Sequence, residues 1–316
     1  MRIVFFGSPA SALPSLEALL SAGHTVALAV THPDKPAGRG RRLAPSAVKS
    51  FALERGIPTI EPARIRSDAA ALERIQAAAP EVNVVVAYGQ IIPRAIHYFP
   101  RYHSLNVHFS LLPRYRGAAP VQWAVLNCDA GTGVTIIELN DRMDEGDILA
   151  REVAAVGPRE TAAGLEARLA VLGASLLLST LDRIDRVERV PQDHALATLA
   201  PKFRKEDGRV AWTDTAAAVD RRVRALADRP GVFTFFGTRR LGIVSGRPAG
   251  SPDRPPAEAG AAPGTVLAAG KAGLEVACGA GTAYLVEELR PEGKNAMTAY
   301  AFSLGTRIAP GAKLGD

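Results

Sequence analysis

Asn106 and His108 stand two positions apart in the run Leu105-Asn-Val-His-Phe109. In a β-strand alternate residues share a face, so this amide and imidazole project side by side at the strand's end. Both can donate a hydrogen bond to an oxygen that gains negative charge, which acyl transfer through a tetrahedral intermediate requires. His108 can also carry a proton near neutral pH. The segment Asp141-Arg-Met-Asp144-Glu-Gly146-Asp147 follows the next strand. Its Asp144 could orient the imidazole and favour the charged ring. No serine or cysteine is placed as a nucleophile: Ser110 lacks an elbow motif and Cys128 falls in a helical stretch. Direct attack by a substrate amine therefore fits better than a covalent enzyme intermediate. The trio lacks the ligand spacing of a metal site, so no metal is expected. Taken alone, an Asn-x-His pair and a downstream Asp fit a pair of satisfied structural residues as well as a catalytic site.

These groups need strands and loops to aim them. The first half of the chain alternates β-branched runs with helical patterns: strands at Arg2–Phe6, Val26–Thr31, Val82–Ala87, Leu105–Phe109 and Val134–Leu139. Helices fall at Ala12–Ala22 and Ala118–Asn127, and a long amphipathic one at Thr161–Leu181. VNVVVA at 82–87 is nearly all apolar, as expected of a parallel strand buried on both faces. Strands alternating with helices imply an α/β fold, a doubly wound, mostly parallel Rossmann-like sheet. In such a sheet, ligands bind at the carboxyl ends of the strands, here just after Ala87, Phe109 and Leu139. GSPASA after the first strand is not a dinucleotide fingerprint, and a tight turn accounts for it.

Periodicity fades between Val190 and Gly208. After a helical stretch ending near Ala227, the runs VFTFF, RLGIV, TVLAA, LEVAC and AYLVEEL follow at close spacing. They read as a smaller C-terminal β-barrel or sandwich, with Gly250–Gly264 as a Pro-, Ala- and Gly-rich insertion. The expected organisation is a domain over 1–189, a linker over 190–208 and a second domain over 209–316.

A net charge of +6 favours polyanionic partners, although the Ala-, Gly- and Arg-rich composition also accounts for it. Cys128 and Cys278 are far apart and form no CxxC or Cys/His array, which points to a reducing compartment and a cytoplasmic protein. No apolar run is expected to reach the roughly 20 residues of a membrane span. MRIVFFGSP reads as a first strand rather than a signal peptide. A monomer is the default expectation.

The longer string NVHFSLLPRYRGAAPVQWAV, preceded by VVAYGQIIP and followed by GVTIIELNDRMDEGDIL, resembles the folate-dependent formyltransferases. The resemblance implies that Asn106, His108 and Asp144 transfer formyl from 10-formyltetrahydrofolate. It places the pterin among Val86, Ala87, Tyr88, Gly89 and Ile91, with Ser110, Leu111, Leu112, Pro113, Asn140 and Asp141 completing the cofactor site. His32-Pro-Asp-Lys-Pro-Ala-Gly-Arg-Gly-Arg-Arg-Leu43 is similar to the PDxPAGRG(K/R)(K/R)L loop of the methionyl-tRNA formyltransferases. In that family the loop inserts into the acceptor stem of initiator methionyl-tRNA. Lys35, Arg39, Arg41 and Arg42, opposed only by Asp34, suit a phosphate backbone, although a charged loop can equally be a solvated one. Lys202, Arg204 and Lys205 are further candidates for tRNA contact. ELRPEGKNAMTAYAF is similar to the family's C-terminal LQPxGKKxMxAxxF, and the preceding strands to its tRNA-gripping β-barrel. The resemblance spans essentially the whole chain and is weakest at 250–264 and in the linker. Phe109, Arg142, Glu145 and Arg229 depart from the family pattern. Two competing roles are formylation of an amino-sugar nucleotide and tRNA binding without turnover.

Overall fold

The computed structural model describes residues 1–37, 42–250 and 261–315. The chain divides into two compact units. One comprises Met1–Val121, Ala130–Val156 and Gly164–Pro201; the other Gln122–Asp129, Gly157–Ala163 and Lys202–Asp316.

In chain order the first half forms β1 (Arg2–Gly7), α1 (Leu13–Ser21), β2 (Thr25–Val30), β3 (Lys35–Ala37), β4 (Arg42–Ala44) and α2 (Ala47–Glu54). There follow β5 (Thr59–Ile60), α3 (Ala69–Ala77), β6 (Val82–Val86), α4 (Arg94–His97), β7 (Ser104–His108) and α5 (Pro120–Leu126). Then come β8 (Gly131–Glu138), β9 (Ile148–Ala155) and α6 (Ala162–Leu181). Helix starts are set by local chemistry: Ser46 caps α2 by accepting from the Lys49 N–H, and Asp68 caps α3 by accepting from the Ala71 N–H.

The large sheet of the first unit has the order β5–β2–β1–β6–β7–β8–β9. Its first five strands are parallel, as the sequence implies. Every residue of β6 is buried, and Asn83 survives there because its amide donates to Ile96 O and Ser104 Oγ, both at 3.0 Å. β8 runs antiparallel to those five strands, and β9, antiparallel to β8, runs with them again; the reversal of β8 corrects the expectation that Leu139 ends its strand at the same edge as Ala87 and Phe109. The cause is the connection. The chain leaves β7 at His108, makes α5 and re-enters beside His108, so Thr135 pairs with His108 and Glu138 with Leu105. No crossover intervenes, and an antiparallel strand results.

A second correction concerns α6. It has 20 residues and is long and apolar enough to cross a membrane by length and composition. Its Leu165, Leu169, Leu177 and Leu181 are buried, as in the core helix of a globular domain.

The second unit contains α7 (Ala216–Leu226), β10 (Val232–Phe236), β11 (Arg239–Pro248), β12 (Val266–Gly270), β13 (Gly273–Ala277), β14 (Ala283–Pro291), β15 (Met297–Thr298) and α8 (Ala299–Thr306). Its strands pair antiparallel in the order β10–β11–β14–β13–β12, with β15 on β14. Each of the five runs read from the sequence is one of these strands. Trp212 is buried and donates to Thr234 Oγ1 at 2.9 Å. Asp220, also buried, is paired with Arg224 at 2.8 Å and Arg159 at 3.2 Å.

Candidate active site

β7 delivers Asn106 and His108 to one face of the sheet, two residues apart. Its other face carries Val107 and Phe109, which pack against Gly173 of α6 beside Val134. Phe109 is therefore buried behind the sheet, turned away from His108. His108 is 6% exposed, and its Nε2–H donates to the Tyr115 carbonyl at 2.9 Å. That bond leaves Nδ1 turned to the carboxylate of Asp144, with Oδ2 at 3.8 Å. The same oxygen accepts the Gly117 N–H at 2.8 Å. Asn106 is half-buried, and its amide makes no hydrogen bond among the described residues. The three predicted groups thus meet on one face, with the amide's donors unspent.

Asp144 arrives by a long return. Leu139 N–H bonds Ser104 O at the start of β7, so the 140–147 loop begins about 13 Å from the level of His108, at roughly 3.3 Å per strand residue. It doubles back across the sheet face to reach the imidazole. Gly146 permits this, since a Cβ there would overlap Glu138 O. Asp144 itself adopts the left-handed region, with φ of 54°.

Two residues that sequence reasoning passed over hold this turn. Gln192 is 6% exposed, and its Nε2 donates to the carbonyls of Asp144 and Gly146, both at 2.8 Å. Its Oε1 accepts from Arg116 Nε at 3.1 Å and from a terminal guanidinium nitrogen at 2.8 Å. Arg116, 4% exposed, is paired with Glu145 at 3.1 Å, which gives the unusual Glu145 a partner. Arg142, the neighbouring departure, lies 3.5 Å from Glu145 with a solvent-exposed side chain. Residues 190–200 pack within the first unit: Val190 bridges Ile148, and Leu199 bridges Arg116. Only the RYRG string around Arg116 hinted at this; nothing in PQDHALATLAP marks Gln192 as part of a site.

The other predicted positions divide into wall and surface. Val86 ends β6, and Ala87 and Gly89 follow it with φ of 48° and 76°, exposing their backbone. Between them the Tyr88 ring is buried, edge-on to Phe6 and stacked on His32. Burial pushes its phenol above the ordinary range. The Tyr88 carbonyl is bonded to His32 Nε2, and burial holds that imidazole below its usual value. Ile91 is exposed. Ser110 is buried and its hydroxyl donates to Arg114 O at 2.7 Å, so it presents no nucleophile. Leu112 is buried with Ile137 and Ile148, Leu111 is half-buried, and Pro113 follows a cis peptide. Asn140 accepts the Arg142 N–H at 2.9 Å. Asp141 lies 2.9 Å from Arg94 and 3.4 Å from His97 Nε2. Among the described residues no cluster of three or more His, Cys, Asp and Glu is arranged to hold a metal ion.

Of the basic loop, Arg39 and Arg41 lie outside the described residues; Lys35 is exposed on β3 and Arg42 begins β4. Asp34 is bound by Lys49 at 2.8 Å, and Lys49 binds Glu61 at 3.0 Å. Lys202, Arg204 and Lys205 lie in the second unit, all three exposed.

Comparison with known proteins defines the class. Residues 1–181 match the family described as formyl transferase, and residues 202–307 match formyl transferase, C-terminal domain. Among curated relatives, the methionyl-tRNA formyltransferase of Thiobacillus denitrificans is 42% identical, with all of both chains covered. That of Citrifermentans bemidjiense is 40% identical over all of this chain and 96% of its own. The chain belongs to the methionyl-tRNA formyltransferase family, enzymes of one-carbon group transfer. Solved structures agree on the fold. HypX from Aquifex aeolicus, crystallised with tetrahydrofolic acid, superposes with a TM-score of 0.67 at 19% identity. The match covers 96% of this chain and 47% of HypX, so this chain spans about half of that protein. An N-formyltransferase from Helicobacter canadensis, with folinic acid and dTDP-3-aminofucose, gives 0.65 at 14% identity over 90% of this chain and 98% of its own.

Proposed function

We propose that this chain transfers the formyl group of 10-formyltetrahydrofolate to the amino group of initiator methionyl-tRNA, acting as a cytoplasmic monomer in translation initiation. The observation that carries the reading is the 3.8 Å approach of Asp144 to His108 on the sheet face where Asn106 keeps an unspent amide. All three come from one chain, which supports a site complete in a monomer.

The co-substrate fits the exposed peptide edges around Ala87 and Gly89. Among the described residues none of Ala87 to Ile92 enters a backbone–backbone hydrogen bond outside helices and strands. A pterin can satisfy such donors and acceptors. Ile91, Leu111, Leu112, Pro113, Asn140 and Asp141 would form the surrounding wall.

The neutral methionyl amine attacks the formyl carbon. A free α-amino group has a pKa of about 7.7–8.0, so neutral amine is present near pH 7. A C–N bond forms and the carbonyl electron pair moves onto oxygen. Asn106 donates to that oxyanion. His108 has Nε2–H committed to Tyr115, so it donates from Nδ1 as an imidazolium, whose charge the nearby Asp144 carboxylate offsets. Asp144 also assists loss of the amine proton. Collapse re-forms the carbonyl and breaks the bond to folate N10, which takes up a proton in place of the one the amine lost.

Labelled formyl should pass from 10-formyltetrahydrofolate to charged initiator methionyl-tRNA, and not to uncharged tRNA or an amino-sugar nucleotide. Turnover on the sugar alone would discard the tRNA assignment. Neutralising Arg39, Arg41 and Arg42 together should weaken the tRNA reaction, and indifference would remove that loop from recognition.

A further inference from the structure

The side-chain amide of Gln192 spends its full hydrogen-bonding capacity on the turn that carries Asp144. Both N–H groups go to carbonyls of that turn, those of Asp144 and Gly146, and its oxygen takes two N–H groups of Arg116. Arg116 in turn reaches Glu145, the residue between those two carbonyls. Three consecutive residues of the turn are therefore held from one side. The clamp also reaches the donor that touches the carboxylate: Gly117, next to Arg116, gives its N–H to Asp144 Oδ2 at 2.8 Å. Backbone bonds from Arg116 N–H to Thr198 O at 2.8 Å and from Ala200 N–H to Arg116 O at 2.7 Å lock this strip in place. Gly117 has φ of 126°, and a Cβ there would lie 2.7 Å from Ala200 O.

A left-handed non-glycine residue persists only where its surroundings over-determine it. Asp144 is such a residue, and the groups around it converge on Gln192. We propose that Gln192 is a positioning residue for formyl transfer, which with Arg116 clamps the 144–146 turn and sets the aim of the Asp144 carboxylate at His108. This rests on the reading of Asn106, His108 and Asp144 as the reacting groups. Glutamate at 192 would keep the acceptor for Arg116 and lose both donors; methionine would keep the length and lose all four hydrogen bonds.

The test is steady-state kinetics of Gln192→Met and Gln192→Glu, each alone and combined with Asp144→Asn, on protein shown to be folded by circular dichroism. A misaimed group typically costs up to about 100-fold, so kcat should fall about 10- to 100-fold in each single variant while both KM values stay within about 3-fold. In the Asp144→Asn background the same change should cost less than about 2-fold, because Gln192 acts through Asp144. Wild-type kcat in either folded variant, or an undiminished loss on top of Asp144→Asn, would overturn the proposal. Should Gln192→Met not fold, Gln192→Glu decides it. Full activity of Asp144→Asn and His108→Ala would instead overturn the reading of the reacting groups.

Discussion

The Asp144 carboxylate lies 3.8 Å from His108 Nδ1, although the strand before Asp144 leaves the sheet at the opposite end of the strand that carries His108. The pairing depends on a loop that folds back over the sheet, and each support of that loop can be tested separately.

Under the proposed mechanism, His108→Ala and Asn106→Ala each remove a donor to the oxyanion. Turnover should drop by about 10²–10³ in each, the usual effect of losing one such donor. Binding of charged tRNA, followed by filter retention, should be unchanged. Near-normal kcat in either variant would sink the assignment.

Gly146→Ala places a methyl group against Glu138 O, where there is no room for one. The loop must open at its stem, carrying Asp144 away from His108. Loss of turnover should accompany increased proteolysis within 139–147, and an active variant with a protected loop would contradict the geometry.

Phe109→Ala should behave differently. Its ring packs behind the sheet on α6, so the variant should lose stability, by about 3–5 kcal/mol for a buried phenylalanine. The KM for the formyl donor at permissive temperature should stay within about 2-fold, since a residue behind the sheet contributes packing rather than binding. A selective rise in that KM would place the ring in the ligand site.

Burial holds His24, His32 and His97 below the ordinary histidine value, opposed at His97 by Asp141. A histidine that resists protonation when folded binds fewer protons than its unfolded counterpart. Stability therefore rises with pH through the window between the folded values and about 6.5, and is lost as pH falls through it. The melting temperature should climb between about pH 5 and 7. His97→Asn should flatten that climb, and an unchanged slope would show that His97 contributes nothing to it.

Neutralising Lys202, Arg204 and Lys205 should weaken tRNA binding and lower the slope of log affinity against log salt by about one for each phosphate no longer neutralised. An unchanged slope would remove these residues from the interface.

Much of this was legible in one dimension because it depends on local periodicity and residue type. The nearly all-apolar run 82–87 read as a doubly covered strand, as β6 is, and Asn106 and His108 had to share a face once β7 was a strand. The strand-rich tail followed from closely spaced β-branched runs, and the basic loop from its composition. Other features required the third dimension. The direction of β8 is set by where the chain re-enters the sheet after α5, which no local pattern encodes. Phe109 stands out in sequence as a departure next to the histidine proposed to react, yet alternation turns it to the opposite face, where Gly173, 64 positions on, leaves space for it. Gln192 lies in a stretch without periodicity, and its role depends on carbonyls 46 and 48 residues away and a guanidinium 76 residues away. Sequence by itself determined which side-chain types are available for such chemistry, because reactivity belongs to side-chain type. Tertiary structure decided how they are aimed, because hydrogen bonds between distant segments form only when the fold has brought those segments together.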